Sequence, residues 1–545
     1  MMKESYVAMA KESMLANWDH TAFTDYGGKS FTYAEVANHI YYLHNLFKKL
    51  GIREGDKIAI YGKNSSHWAI SYLSIITYKA VVVPILPNFT ANELQHLVNH
   101  SESLLLFSTD SLWEELDPTA MPGLRAAISL EDFSPKFTRH NDDADLIVRF
   151  NVVKFNPPDK SKITCAPPPN TTLFAIIYTS GTSGFSKGVM LTHNNITANI
   201  VYARRNMPLK PGDRILSFLP LAHAYGCAIE FLYPFTLGCH ITFLGKTPSP
   251  QVLIKAFGEI KPRLILSVPL ILEKIYKTKL KPVLQEQKIR LMMSIPVLEK
   301  IVQKKLREKL MDVFGGNFLE LVIGGAALNE EVQIFLRKIK FPFTVGYGMT
   351  ECGPLISYAP WYENRLNSAG RCVDTLEMRI DSANPETEAG EILVRGENVM
   401  TGYYKNEEAT RNAIDEEGWL HTGDLATMDS DGFIYIKGRS KSMILGPSGQ
   451  NIYPEEIESI INNWPYVLES LVVERKNQLV ALICPDLDAI DKDHIQESEL
   501  PGIFNKYKEQ MNQRIPDYMK IARIEIYQGE FEKTPKRSIK RFLYQ

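Results

Sequence analysis

YTSGTSGFSKGVMLTH, residues Tyr178–His193, is a polar, glycine- and hydroxyl-rich interruption between two apolar runs. The run Leu173–Tyr178 leads in and apolar sequence resumes after Lys187 and Gly188, so the spacing predicts a strand, a flexible turn and a second strand. Glycines let the backbone approach a phosphate closely, hydroxyls and free N–H groups donate to its oxygens, and Lys187 adds positive charge. The turn is therefore suited to a polyphosphate. It is not a Walker loop, because Phe185 and Ser186 separate Gly184 from Lys187 and the spacing G-x-x-x-x-G-K-[ST] never occurs. Taken alone, the stretch reads equally well as a solvated Gly/Ser hairpin loop.

At 545 residues the chain exceeds a single ordinary core, and two or more domains are expected. A composition of 45% hydrophobic and 23% charged residues is that of a globular protein. The formal net charge of -2 gives no electrostatic reason to propose a nucleic-acid partner, whereas peripheral membrane contact through a local patch stays open. The six cysteines are scattered without a CxxC pair, which disfavours a zinc site and a disulfide framework and fits a reducing cytoplasm. The N-terminal MMKESYVAMAKESMLANW lacks the uninterrupted apolar core of a signal peptide, and no stretch approaches the length of a spanning helix.

Outward from the turn, helical periodicity between Phe31 and Leu50 precedes a short strand at Lys57–Tyr61, and a second helical run, Trp68 to Tyr78, leads to a buried strand at Val81–Ile85. This alternation predicts an α/β sheet. The polar, Pro-containing stretch from Ser134 to Thr172 reads as an irregular surface connector. Strands are predicted at Ile215–Leu219, His240–Leu244, Leu264–Val268 and Leu319–Ile323, Phe343–Val345 precedes Gly346-Tyr347-Gly348, and Leu270–Val313 reads as mostly helical. Gly390–Val394 and Gly432–Ile436 read as antiparallel strands between turns, and no internal repeat is evident. A composition shift follows Gly438-Arg439-Ser440-Lys441, after which about a hundred residues carry mixed strand and helix signals, a size suited to a small domain. Pro454-Glu455-Glu456 suits a helix start, since proline fits the first turn and acidic side chains complement the dipole. The division drawn is 1–438 as a large domain, 439–442 as a hinge and 443–545 as a small C-terminal domain.

Six stretches in fixed order then carry a resemblance: YTSGTSGFSKGV, LPLAHAYG (Leu219–Gly226), GYGMTECGP (Gly346–Pro354), TGYYKNEEAT (Thr401–Thr410), GWLHTGDLA (Gly418–Ala426), and KGRSKSMIL with SGQNIYPEEIE (Lys437–Glu458). Together they resemble the adenylate-forming superfamily of acyl-CoA synthetases, peptide-synthetase adenylation domains and luciferases, over nearly the whole chain. VPLILEKIYK (Val268–Lys277) and the helical segment behind it look most like a long-chain fatty acyl-CoA synthetase. The resemblance implies an α/β fold of large N-terminal α/β subdomains plus a β-rich subdomain, with a small mobile α+β C-terminal domain. It implies an acid-thiol ligase that uses ATP and Mg²⁺: a carboxylate, here a medium- to long-chain fatty acid, attacks the α-phosphate, and the thiol of CoA then displaces AMP from the acyl-adenylate.

By motif position the resemblance assigns Thr179, Ser180, Gly181, Thr182, Ser183, Gly184 and Lys187 to the β- and γ-phosphates, Thr350 to the α-phosphate and Glu351 to Mg²⁺. Tyr347 would stack on adenine beside the backbone wall of Gly325 and Ala326, with Gly348 and Met349 in the same pocket. Asp424 would accept from the ribose hydroxyls with help from Arg439, His223 would help position the carboxylate, Lys441 would be the hinge, and Gly449 would line a pantetheine tunnel. Singly, each has a plainer reading: Glu351 as a solvated carboxylate, Tyr347 as packing, Asp424 as a turn residue and His223 as a core histidine. Their joint order outweighs those readings.

The chain departs from the pattern at its end. The family's T-P-x-G-K-I is here Thr534-Pro535-Lys536-Arg537-Ser538-Ile539, so Ser538 stands where a lysine reaches the acyl carboxylate and α-phosphate. Serine cannot supply that charge, and Lys536 or Lys540 is the expected substitute; the alternatives are Arg537, the phosphate loop with Mg²⁺ alone, and a basic tail that is only a solvated end. Two other outcomes stay open: transfer of the acyl group to a carrier-protein thiol, and a nucleotide-binding homologue with reduced turnover.

Overall fold

The β-hairpin at the Gly/Ser turn lies next to the edge strand of the largest sheet. In the computed structural model, which describes residues 1–153, 159–179, 186–445, 450–476, 478–534 and 539–544, Leu173–Thr179 pairs antiparallel with Lys187–Thr192. Leu173–Thr179 then joins the parallel core strands Val81–Ile85, Lys57–Tyr61, Ser103–Ser108 and Ala126–Ser129. Val81–Ile85 is buried along its whole length, as a central parallel strand covered on both faces must be. Beyond the hairpin, Gly402–Tyr403 adds to Lys187–Thr192 and closes the eight-stranded sheet. Helix starts are chemically specified. Thr32 and Glu35 form a reciprocal capping box for the helix Tyr33–Lys49, and Thr192 and Asn195 form another for His193–Asn206.

A second sheet orders Arg214–Ser217, His240–Phe243, Thr21–Asp25 and Ser30–Thr32. A third, fully parallel, comprises Leu264–Ser267, Glu320–Ile323 and Phe343–Val345. An antiparallel sheet of Leu376–Asp381, Gly390–Gly396, Leu420–Met428 and Ile434–Arg439 follows. The remaining chain builds a three-stranded sheet of Val467–Arg475, Gln478–Pro485 and Ile521–Ile526, flanked by helices Pro454–Ile461 and Leu500–Asn512. Its apolar clusters draw only on residues after Leu445 or next to it, separate from the large core that ends at Ile434 and Ile436. The fold class is thus α/β with a smaller α+β unit. Lys437 pairs with Glu456 at 3.3 Å, and Lys277 Nζ donates to the Asn462 carbonyl at 2.9 Å, so the smaller unit rests on the larger one. Among the described residues no helix is long and apolar enough to cross a membrane.

The stretch 134–172 corrects its reading as an irregular connector. It holds a strand, Pro135–Thr138, and a helix, Asn141–Val153. Asp142 and Asp143 occupy the helix's first turn, where carboxylates complement the exposed N–H groups. Arg125 grips Asp143 through two hydrogen bonds of 2.9 Å, and Ile147 and Phe150 are buried against the large core. The prolines cluster only after this helix, so averaging composition over the whole stretch hid it. A buried isoleucine in a packed helix has a defined cost of truncation. Ile147→Ala is expected to lower unfolding stability by about 2–5 kcal/mol in urea titrations, whereas a position in a solvated connector would change it by no more than about 0.5 kcal/mol.

Candidate active site

Parallel strands end in loops that converge, and the site is built on such ends. Glu320–Ile323 runs into Gly324-Gly325-Ala326, and Phe343–Val345 runs into Gly346-Tyr347-Gly348, with Gly346 N–H donating to the Ile323 carbonyl at 2.9 Å. Gly325 takes a φ of +89°, and Gly325 and Ala326 are exposed, so their backbone forms an open wall. Gly348 admits no side chain, because a Cβ there would lie 2.2 Å from the Pro354 carbonyl oxygen. That contact is part of a tight return in which Met349 N–H donates to the same oxygen. Asn199 clamps the turn from below, donating to the Cys352 carbonyl at 3.0 Å and accepting from Leu355 N–H at 2.8 Å.

Two chains of contacts join the separate motifs. In the first, Asp424 is a buried carboxylate whose Oδ2 accepts from the Tyr347 hydroxyl at 2.6 Å and whose Oδ1 accepts from Arg439 Nε at 2.9 Å. The antiparallel register places Asp424 opposite Arg439, which is why residues 15 positions apart meet. Burial pushes the Asp424 carboxyl up, Arg439 and the Tyr347 hydroxyl pull it down, and the charges of Glu351 and Glu455 push it up again. Tyr347 is therefore anchored by its hydroxyl.

In the second chain, Glu351 is buried and its Oε1 accepts from the Tyr403 hydroxyl at 2.9 Å, while Lys187 Nζ lies 4.9 Å over the Tyr403 ring. A cation over an aromatic face and a hydroxyl on a carboxylate make Tyr403 the link between the hairpin and the Thr350-Glu351 turn. Sequence reading quoted Tyr403 within TGYYKNEEAT without assigning it. Its strand pairing with Lys187–Thr192, Tyr403 opposite Val189, is the signal that only the folded sheet supplies. Thr179 ends the preceding strand, with its hydroxyl 3.5 Å from the Lys187 carbonyl.

His223 is half-buried in the turn before a helical stretch, its N–H donating to Pro220 and its carbonyl accepting from Cys227. Its neighbour Tyr225 donates to the Val322 carbonyl at 3.1 Å, and its ring lies 3.1 Å from where a Gly324 Cβ would sit. The His223 turn thus abuts the Gly324–Ala326 wall. Lys441 is exposed in the single 3₁₀ turn Ser440–Ser442. Lys540 is turned to Glu532, 3.4 Å away, within the C-terminal tail. Ser180, Gly181, Thr182, Ser183, Gly184, Gly449, Lys536 and Ser538 lie outside the described residues.

The donor set bears on a metal. Among the described residues no group of three or more His, Cys, Asp or Glu side chains gathers into a metal site. Glu351 offers one hard carboxylate beside the Thr350 hydroxyl, which fits Mg²⁺, a cation that keeps several waters and takes the rest of its ligands from phosphate.

The chain matches the family model "AMP-binding enzyme" over residues 11–404. It is 30% identical over 493 residues to the long-chain-fatty-acid–CoA ligase FadD15 of Mycobacterium bovis, covering 84% of this chain and 78% of that one. Among solved structures it superposes on the anthranilate CoA ligase AuaEII in complex with anthranoyl-AMP with a TM-score of 0.79 at 19% identity, covering 99% and 96% of the two chains. It superposes on the o-succinylbenzoate coenzyme A synthetase MenE of Bacillus subtilis in complex with ATP and magnesium with a TM-score of 0.76 at 20% identity, covering 98% of each.

The strand that delivers the Gly324–Ala326 wall begins with a buried acid, Glu320, which accepts from the Tyr358 hydroxyl at 2.5 Å and from Trp361 N–H. Burial pushes its carboxyl from near 4.5 up to about 7, against the pull of those two donors. A carboxyl whose pKa is higher folded than unfolded contributes stability that is fully present below the unfolded value and is lost as pH rises through the folded value. Between pH 4.5 and 7 wild-type stability is therefore expected to fall by on the order of 3 kcal/mol from this group, at about 1.4 kcal/mol per unit. Glu320→Gln, which keeps an acceptor, is expected to flatten that slope; urea midpoints at pH 5 and pH 8 check it.

The ordered motifs, the converging strand ends and the match across most of its length place this chain in the AMP-binding enzyme family of acid-thiol ligases.

Proposed function

We propose that this chain activates a medium- to long-chain fatty acid with ATP, through an acyl-adenylate, and passes the acyl group to CoA. The observation that carries the reading is the meeting of the two contact chains, Lys187–Tyr403–Glu351 and Arg439–Asp424–Tyr347, at one set of strand ends. One supplies charge for phosphates and a carboxylate for a cation; the other supplies an acceptor and an aromatic ring for a nucleoside.

In the first step a carboxylate oxygen bonds to the α-phosphorus as the bond to pyrophosphate breaks. In the second, a thiol adds to the acyl carbon and AMP leaves with the electron pair of the acyl C–O bond. Such transfer depends on positioning and on neutralising phosphate oxygens. Lys187 and the Gly/Ser turn would hold the β- and γ-phosphates, and the Thr350 hydroxyl would donate to the α-phosphate. Asp424 and Arg439 would hold the ribose hydroxyls, with Tyr347 on adenine between Gly325, Ala326, Gly348 and Met349. Glu351 would hold Mg²⁺, which supplies positive charge at the phosphate oxygens. The division at 439–442, with Lys441 in the turn between the units, suits a rotation of residues 443–545 between the two steps, bringing Gly449 to the thiol path.

The fatty-acid assignment draws support from the similarity to the ligase FadD15 over most of both chains. The two solved structures compared above are named for aromatic acids, so the class and length of the acid are the variables to test. Acyl-CoA formation with ATP is expected to rise with chain length across a series of straight-chain acids. Product with a carrier-protein thiol but not CoA would redirect the acceptor, and no product with any carboxylate would sink the ligase reading. Glu351→Gln is expected to cut acid-dependent pyrophosphate release by roughly two orders of magnitude or more and to raise the Mg²⁺ concentration needed. For the place vacated at Ser538, Lys536→Ala and Lys540→Ala are compared in the same assay. At least one is expected to slow adenylation, and unchanged rates in both would exclude these lysines as the substitute.

A further inference from the structure

The turn that carries His223 is gripped from two sides. Asn64 Nδ2 donates to the Leu219 carbonyl at 2.7 Å and to Ser217 Oγ at 3.3 Å, and its Oδ1 accepts from Leu221 N–H at 3.0 Å. On the other side Glu230 Oε2 accepts from Phe218 N–H and Leu219 N–H, each at 3.1 Å. Five polar contacts thus hold four of the five residues Ser217–Leu221, immediately before Ala222 and His223.

Glu230 is an unusual residue to find there. It has no exposed surface, and among the described residues its Oε1 has no hydrogen-bond partner. A buried carboxyl with a bare oxygen is costly and calls for a reason beyond packing. It sits in the π-helical stretch Gly226–Leu232, a widened turn that is rare and recurs at functional sites. Burial pushes the carboxyl well above the usual range, with the Ser217 hydroxyl and the two N–H groups pulling the other way.

We propose that Glu230, with Asn64, is a positioning residue for the acyl carboxylate: the two side chains fix the peptide planes of Ser217–Leu221 and so set the backbone that leads into His223 and into Tyr225, whose ring packs against Gly324. This rests on the reading that the His223 turn borders the carboxylate pocket.

Acid-dependent ATP–pyrophosphate exchange on the full chain, with KM for acid and for ATP measured separately, tests it. Glu230→Gln retains an acceptor oxygen for the two N–H groups, whereas Glu230→Ala leaves both of them buried and unpaired. Glu230→Ala is expected to lower kcat/KM for the acid by roughly tenfold to a hundredfold with KM for ATP within about twofold, and Glu230→Gln to stay within about threefold of wild type. Should Glu230→Ala not fold, Asn64→Ala carries the same expected split. Equal shifts in both KM values, an unchanged acid kcat/KM, or Glu230→Gln as damaged as Glu230→Ala would overturn the positioning role. Wild-type protein inactive in exchange with every acid would instead overturn the reading on which it rests, a result distinct from active wild type with unsplit variants.

Discussion

The Tyr403 hydroxyl donates to Glu351 while the Tyr403 ring lies beneath the Lys187 ammonium, and this bridge ties the hairpin next to the main sheet's edge strand to the turn that carries Thr350 and Glu351. Glu351 is buried, and a buried carboxylate without partners is expensive. The Tyr403 hydroxyl offsets part of that cost, and Met400 N–H on the Glu351 carbonyl fixes the backbone that presents it. The hairpin can carry Lys187 to this point only because Gly402–Tyr403 pairs with its outer strand.

Asp424 is governed by the same economy of burial. Tyr347 and Arg439 occupy its two oxygens from different segments, so the carboxylate, the ring and the cation hold one another in place. Glu455, from the smaller unit, adds its charge to the same environment, and Lys437–Glu456 lies nearby in sequence. The electrostatics around Asp424 thus depend on where residues 450 onward rest. A rotation at 439–442 would change the Arg439 partner geometry and the Glu455 charge together, and under the proposed function would couple nucleotide binding to the position of the smaller unit.

Much of this was legible from residues. Strands at Lys57–Tyr61, Val81–Ile85 and Leu264–Ser267 and the helix start at Pro454 follow from short apolar runs and from proline at the first turn. The helix Asn141–Val153 was not legible, because its few buried positions, Ile147 and Phe150, sit in a polar stretch followed by prolines. Tyr403, Asn199, Asn64 and Glu230 were not legible either. Each acts across more than ten residues of chain on a backbone or side-chain group whose proximity no local pattern encodes.

By itself the amino-acid sequence determined most of the element types, the ordered motifs and the missing lysine at Ser538, since these depend on local composition and spacing. The tertiary structure alone decided that Asp424 faces Arg439 across one antiparallel register, that Gly348 has room only for hydrogen against Pro354, and that Lys187 reaches Glu351 through Tyr403. The reason is that sheet register and strand order are cooperative properties of distant segments: a slip of one residue would turn Asp424 to the other face and leave its motif unchanged.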